Sequence, residues 1–140
     1  MAMNAKSPRP MNRPQFRNIG IGDLVRYRLP LSGVVSILHR ISGLLMFLAL
    51  PFVLYLFELS LSSEKSYREL VKMGQGFVVR LVLLAVGWAL LHHLCAGIRF
   101  LLLDLHLGAE RATARRSSIA VFAASVPLTI LLAVFLWGGA

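Results

Sequence analysis

Long runs of apolar residues alternate with short polar segments along this chain. An α-helix needs about 20 residues to cross roughly 30 Å of hydrocarbon, and three runs meet that length: 31–57, 77–105 and 119–137. Backbone polar groups must pair internally where there is no water, so helices are the expected form of such runs. The pattern therefore predicts an all-α membrane protein with three transmembrane helices in an up-down-up arrangement.

The segments between these runs have distinct signals. Residues 1–30 are basic and proline-containing, which predicts an extended arm, and Pro30 with the small residues after it favours the start of the first helix. Pro51 should bend that helix. In the loop 58–76, Ser66 and Glu69 have the spacing of a capping box, which predicts a short surface helix. The second loop is 106–118.

Basic residues indicate the topology, because arginine and lysine mark the cytoplasmic side of short loops. Nine of them lie before the first span or after the second: Lys6, Arg9, Arg13, Arg17, Arg26, Arg28, Arg111, Arg115 and Arg116. The loop 58–76 has three, Lys65, Arg68 and Lys72. We therefore expect a cytoplasmic N-terminus, a periplasmic first loop and a cytoplasmic second loop.

Composition agrees with a bilayer as the solvent: 57 % of the 140 residues are hydrophobic, and the mean hydropathy is +0.72. The formal charge of +9 flanks the spans and is not interleaved with aromatic residues, so we predict contact with lipid headgroups and none with nucleic acid. The single cysteine, Cys95, excludes an internal disulfide and a CxxCH haem-attachment motif.

Polar residues inside the spans are costly and often functional, and here they form two stretches, 36–43 and 92–104. A rise of about 1.5 Å per residue puts Ser36 roughly 8 Å and Arg40 roughly 14 Å from the cytoplasmic end of the first span. In the second span, Arg99 lies roughly 9 Å and His93 roughly 18 Å from that end. One polar site in the cytoplasmic half, with a deeper histidine, accounts for both stretches.

Two interpretations of these residues stay open. Ser36 and Arg40 share a helix face and suit one carbonyl or carboxylate, but a snorkelling arginine explains the same pattern. His93 has small residues on its own face, and neutral imidazole is a good ligand for haem iron, but a membrane histidine also serves as an interhelical hydrogen-bonding group. His92 points about 100° away from His93.

Two motifs on separate helices resemble those of a known family. The string Ser36-Ile-Leu-His-Arg-Ile-Ser-Gly43 resembles the S-x-x-H-R-x-S-G signature of the cytochrome b membrane-anchor subunit of succinate dehydrogenase. His93-x-x-x-Gly97-Ile98-Arg99, with Asp104 behind it, is similar to the second signature of that subunit. The family has a further histidine after the arginine, where this chain has Phe100.

The resemblance implies roles for these residues. Ser36 and Arg40 match positions that line the ubiquinone site, and His93 matches the axial ligand of haem b. The haem propionate region would involve His39, Arg40 and Arg99, and Asp104 would form a further polar site. The partners implied are a flavoprotein, an iron-sulfur protein and a second small anchor subunit, whose helices would complete the bundle and share the haem.

The function that follows is anchoring of respiratory complex II and formation of part of its quinone-reduction site, without contact with succinate. A fumarate reductase anchor and a haem-free scaffold for soluble subunits are the alternatives. We expect a multi-pass protein of the bacterial inner membrane, because the arm before residue 31 is short for an organellar presequence. A mitochondrial-type origin is the alternative.

Overall fold

The computed structural model describes residues 29–108 and 110–138, and every regular element in them is an α-helix. The four helices are α1 (Leu31–Ser62), α2 (Glu64–Gly74), α3 (Phe77–Asp104) and α4 (Arg111–Gly138). Helices α1, α3 and the Ala112–Gly138 part of α4 are long and apolar enough to cross a membrane. The predicted all-α fold with three such helices is confirmed. The basic arm, up to residue 28, lies outside the described residues.

Helix α1 begins where proline ends the extended segment. The carbonyl oxygen of Pro30 accepts hydrogen bonds from the backbone N–H groups of Gly33 (2.8 Å) and Val34 (3.2 Å). Pro51 lies inside the helix, where its ring removes one intrahelical hydrogen bond. The helix nevertheless continues past the predicted end at residue 57, to Ser62.

The short helix α2 is present, but it begins before the predicted cap at Ser66. Its N-cap is Ser63, whose backbone is extended and whose Oγ accepts a hydrogen bond from the Ser66 N–H at 3.1 Å. Glu64 then lies in the first turn, where the helix dipole favours a carboxylate, and pairs with Arg68 one turn later. No residue of α2 is buried, so this helix lies on the surface of the chain.

Helix α3 ends in a Schellman motif that reverses the chain toward α4. The N–H of Leu107 donates to the carbonyl of Leu102 at 3.0 Å, and the N–H of His106 donates to that of Leu103 at 2.9 Å. His106 has a φ of 61°, the left-handed conformation that this motif requires. This turn holds His106 at the end of the helix, away from the histidines inside the span.

Helix α3 is the central helix, since it packs against both α1 and α4, which meet each other over a smaller surface. The core where the three helices meet consists of Val35, Ala96 and Val121. Small side chains there let the helices approach closely. Most large apolar residues remain exposed on the chain by itself, with Phe47 and Phe52 each 70 % exposed, as expected for a surface that faces lipid or other membrane helices.

Candidate functional site

Helix α3 has two different faces toward its neighbours, and each face carries one histidine. The face toward α1 carries residues that follow a spacing of four and three: His93, Gly97 and Phe100. The face toward α4 carries buried residues with the same helical period: His92, Ala96 and Arg99. Successive residues of a helix point about 100° apart, so the two adjacent histidines serve different interfaces.

His93 lies against a polar turn of α1. Its ring stacks on that of His39, with centroids 4.0 Å apart and planes inclined by 15°. Its Nδ1 lies 3.1 Å from the backbone carbonyl oxygen of His39 and 3.3 Å from Oγ of Ser42. Ser42 is fully buried, and its hydroxyl donates to the same carbonyl at 2.9 Å. Two polar atoms, the His39 carbonyl oxygen and the Ser42 hydroxyl, therefore hold one edge of the His93 ring.

Of the two glycines at this contact, one makes the close approach possible. A Cβ at Gly43 would lie 3.0 Å from Cε1 and 3.3 Å from Nδ1 of His93, closer than ordinary van der Waals contact. A Cβ at Gly97 would lie 3.6 Å from Nε2 of His39, which is an ordinary contact distance. Gly43 is thus the residue whose missing side chain leaves room for the His93 ring.

His92 occupies the opposite interface and is 1 % exposed. Its Nδ1 lies 3.4 Å from Oγ of Ser125 on α4. Its ring packs against Trp88 and Phe122, with centroids 5.7 Å away in each case. Its Nε2 is buried and has no hydrogen-bond partner among the described residues. This imidazole is enclosed by side chains of α3 and α4.

Arg99 also faces α4 and is 6 % exposed. Its Nε donates a hydrogen bond to Oγ of Ser117 at 3.0 Å. Its guanidinium carbon lies 5.2 Å from the centroid of the Phe100 ring, which in turn lies 5.1 Å from that of His39. The family that the motifs resemble has a histidine at the position of Phe100. The apolar ring of Phe100 therefore lies next to both Arg99 and His39.

The other predicted site residues lie near the surface of the chain. Ser36 is half-buried and Arg40 is exposed, one turn apart on α1, and neither side chain has a hydrogen-bond partner among residues 29–108 and 110–138. Asp104 is the exposed last residue of α3. The structure thus brings His39 and His93 together, leaves Arg40 exposed on α1, and gives Arg99 a partner on α4.

Comparison with known proteins gives the family. A sequence model described as succinate dehydrogenase/fumarate reductase transmembrane subunit matches residues 9–132. The chain belongs to this family. It is 34 % identical over 137 residues to the succinate dehydrogenase cytochrome b556 subunit of Coxiella burnetii, which covers 96 % of this chain and 100 % of that protein. The protein of the same name from Paracoccus denitrificans is 32 % identical over 123 residues, 86 % of this chain and 88 % of the relative.

As a transmembrane subunit of the succinate dehydrogenase/fumarate reductase family, the chain is a membrane protein, in agreement with its three long apolar helices. Three polar residues of its interfaces had no role in the interpretation of the sequence: Ser42, Ser117 and Ser125. Ser42 stood within the first motif, three residues after His39. The buried residues Ser118, Val121 and Ser125 recur at helical spacing, which is the signal that identifies the polar face of the otherwise apolar α4.

Proposed function

We propose that this chain is the cytochrome b membrane-anchor subunit of a succinate dehydrogenase in the bacterial inner membrane. With a second small anchor subunit it would bind haem b and tether the flavoprotein and iron-sulfur subunits of complex II. Family membership and the names of the relatives support the anchor role. The observation that carries the haem assignment is the environment of His93.

The donor set around His93 fits an iron ligand. A backbone carbonyl can only accept a hydrogen bond, so the contact with the His39 oxygen requires the proton on Nδ1 of His93. Nε2 then carries the lone pair, and none of the described residues hydrogen-bonds to it. Metal-ligating histidines are typically held this way, with the other ring N–H donated to a carbonyl, which fixes the tautomer and raises the basicity of the ligand.

His92 fits poorly as the ligand. Its Nε2 is buried between α3 and α4, and the adjacent Trp88 and Phe122 would have to move for any macrocycle to reach it. His93 is only half-buried and faces α1. Any second protein ligand would then come from the partner anchor subunit. Of the remaining histidines in the described chain, His39 stacks on His93 from α1, and His106 lies in the turn at the end of α3.

When bound, a b-type haem supplies a one-electron carrier close to the quinone site. His39, which stacks on His93, and Arg40, the next residue of α1, would hold the haem propionates, because a cationic or hydrogen-bonding side chain offsets their negative charge. For Arg99 the propionate role implied by the resemblance stays a prediction, since its Nε donates toward Ser117 on the α4 side.

Quinone binding is assigned to Ser36 and Arg40. Their side chains are one turn apart on α1 and have no competing partners among the described residues, so a hydroxyl and a guanidinium can donate to one carbonyl oxygen of ubiquinone. These donors would polarise the oxygen that takes up electrons and protons from the soluble side. Asp104, exposed at the end of α3, is proposed as a further polar group at that membrane surface.

The family description covers fumarate reductases as well, so the reverse direction of electron flow is the second candidate. The names of the relatives favour succinate dehydrogenase. A haem-free scaffold is the third, in which His93 would serve only as a hydrogen-bonding group between α1 and α3. The cytochrome b556 names of the relatives support a haem-binding role instead.

The test compares two adjacent histidines in the complex purified through a tag on this chain. His93→Ala should remove the b-type band of the reduced spectrum or shift its potential, whereas His92→Ala should keep both. Subunit content is recorded for each variant, so that loss of assembly is separated from loss of haem. The opposite pattern would transfer the assignment to His92, and a wild-type complex without haem would favour the scaffold.

A further inference from the structure

A cleft of about 500 Å³ lies between α3 and α4, at the end where the two helices are joined. Its walls are mainly apolar, formed by residues such as Ile98, Leu102, Ala120 and Ala124. Three polar side chains also line it: Arg99, Thr113 and Ser117. The cleft lies on a different face of α3 from His93, and of the residues proposed for haem and quinone it contains only Arg99.

Arg99 gives the cleft a positive charge that no carboxylate in residues 29–108 and 110–138 neutralises. The side chain is 94 % buried, since its exposed fraction is 6 %, and its Nε has one neutral partner, Ser117. Within residues 29–108 and 110–138 the one ion pair joins Glu64 and Arg68 on the surface helix α2, so no described carboxylate neutralises Arg99. A buried cation needs a counter-charge, and an anion in the cleft would supply it.

The remaining features select the class of anion. A small inorganic ion would leave the apolar walls unfilled, whereas an amphiphile with an acidic head and a hydrocarbon tail matches both parts of the cleft. Arg115 and Arg116 are exposed on the first turns of α4, near the polar lining residues Thr113 and Ser117. Basic residues at the membrane surface attract anionic lipid headgroups.

We propose that this cleft binds one anionic phospholipid, with its phosphate at the guanidinium of Arg99 and the hydroxyl of Thr113, and an acyl chain along the walls of α3 and α4. This goes beyond the proposed function, because the lipid would stabilise the α3–α4 interface without entering electron transfer. It gives Arg99 a role different from the propionate contact implied by the resemblance.

The test measures lipid affinity on the complete complex after delipidation in neutral detergent. Dioleoyl phosphatidylglycerol is titrated and its binding followed by native mass spectrometry, with dioleoyl phosphatidylcholine and inorganic phosphate as separate arms. Removing a charged hydrogen-bonding group from a binding site typically costs a factor of roughly ten or more in affinity. Arg99→Gln should therefore lower the affinity of the tightest phosphatidylglycerol site by about tenfold or more. Arg80 is a half-buried arginine on the same helix, and Arg80→Gln should leave that affinity unchanged.

A second variant covers the case in which Arg99→Gln fails to assemble. Ala124→Phe fills the apolar part of the cleft and leaves Arg99 unchanged, and it should weaken the same site. Unchanged phosphatidylglycerol affinity in either variant would overturn the proposal. Equal affinity of the wild-type complex for inorganic phosphate or phosphatidylcholine would overturn it as well.

The reduced haem spectrum and potential are read on the same samples. A shifted haem potential with unchanged lipid affinity in Arg99→Gln would assign Arg99 to the propionates and overturn the lipid site. Loss of haem in His93→Ala with phosphatidylglycerol affinity intact would support a lipid site independent of the haem. The two proposals can thus fail separately.

Discussion

Replacing Gly43 with alanine is the smallest change on α1 that reaches His93 on α3. The new Cβ would lie 3.0 Å from Cε1 of the imidazole, and ordinary contact begins near 3.4 Å, so the ring has to move by about 0.4 Å. The ring cannot move toward His39, on which it already stacks at 4.0 Å. A displacement of that size along the hydrogen bond would stretch the 3.1 Å contact between Nδ1 and the His39 carbonyl to about 3.5 Å, beyond a good hydrogen bond.

Gly97→Ala is the matched control, because its Cβ would meet Nε2 of His39 at an ordinary 3.6 Å. Both substitutions gain about 1 kcal/mol of helix propensity, which cancels in the comparison. Overpacking typically costs about 1–3 kcal/mol, so Gly43→Ala should lower the unfolding free energy of the complex by about that amount relative to Gly97→Ala.

The assay is thermal or denaturant unfolding of the detergent-solubilised complex, together with the reduced haem spectrum. Gly43→Ala should also shift the haem band or potential, since the hydrogen bond that orients the ligand is stretched. Equal stability and identical haem spectra in the two variants would refute the argument that Gly43 makes room for the His93 ring.

The remaining predictions concern the quinone residues, the topology and the α3–α4 contact. Ser36→Ala and Arg40→Leu should each lower quinone reduction while succinate oxidation by a soluble artificial acceptor is spared; normal quinone reduction in both would favour a snorkelling arginine. A reporter fused after Ala140 should be active in the periplasm and one inserted within 108–116 in the cytoplasm, and the reverse result would contradict the assigned orientation. Gly87→Val should destabilise the complex by about 1–3 kcal/mol in denaturant unfolding, because even a Cβ there collides with a leucine of α4; wild-type stability would show that this leucine can move aside.

The all-α membrane fold could be predicted from the sequence, because the requirement that backbone groups pair internally in lipid is set by the length and polarity of each run. The pairs Ser36 with Arg40 and His92 with His93 could likewise be assigned to shared or separate faces, since helical periodicity is a local property. The exact ends of the helices could not be predicted from the local sequence. Ser63, rather than Ser66, caps α2, because the choice between two serines depends on where α1 stops.

Which residues meet across helices was decided by the tertiary structure alone. Periodicity says that His92 and His93 point apart, but not that His93 meets the carbonyl of His39 while His92 meets Ser125. The depth estimate brought Arg40 and Arg99 into one cytoplasmic half without revealing that Arg99 faces α4 and Ser117. The rise per residue gives only the position of a residue along the axis of its helix. How the helices rotate and pair depends on the close packing of small residues such as Gly43 and Ala96, and only the folded chain brings these residues against their partners.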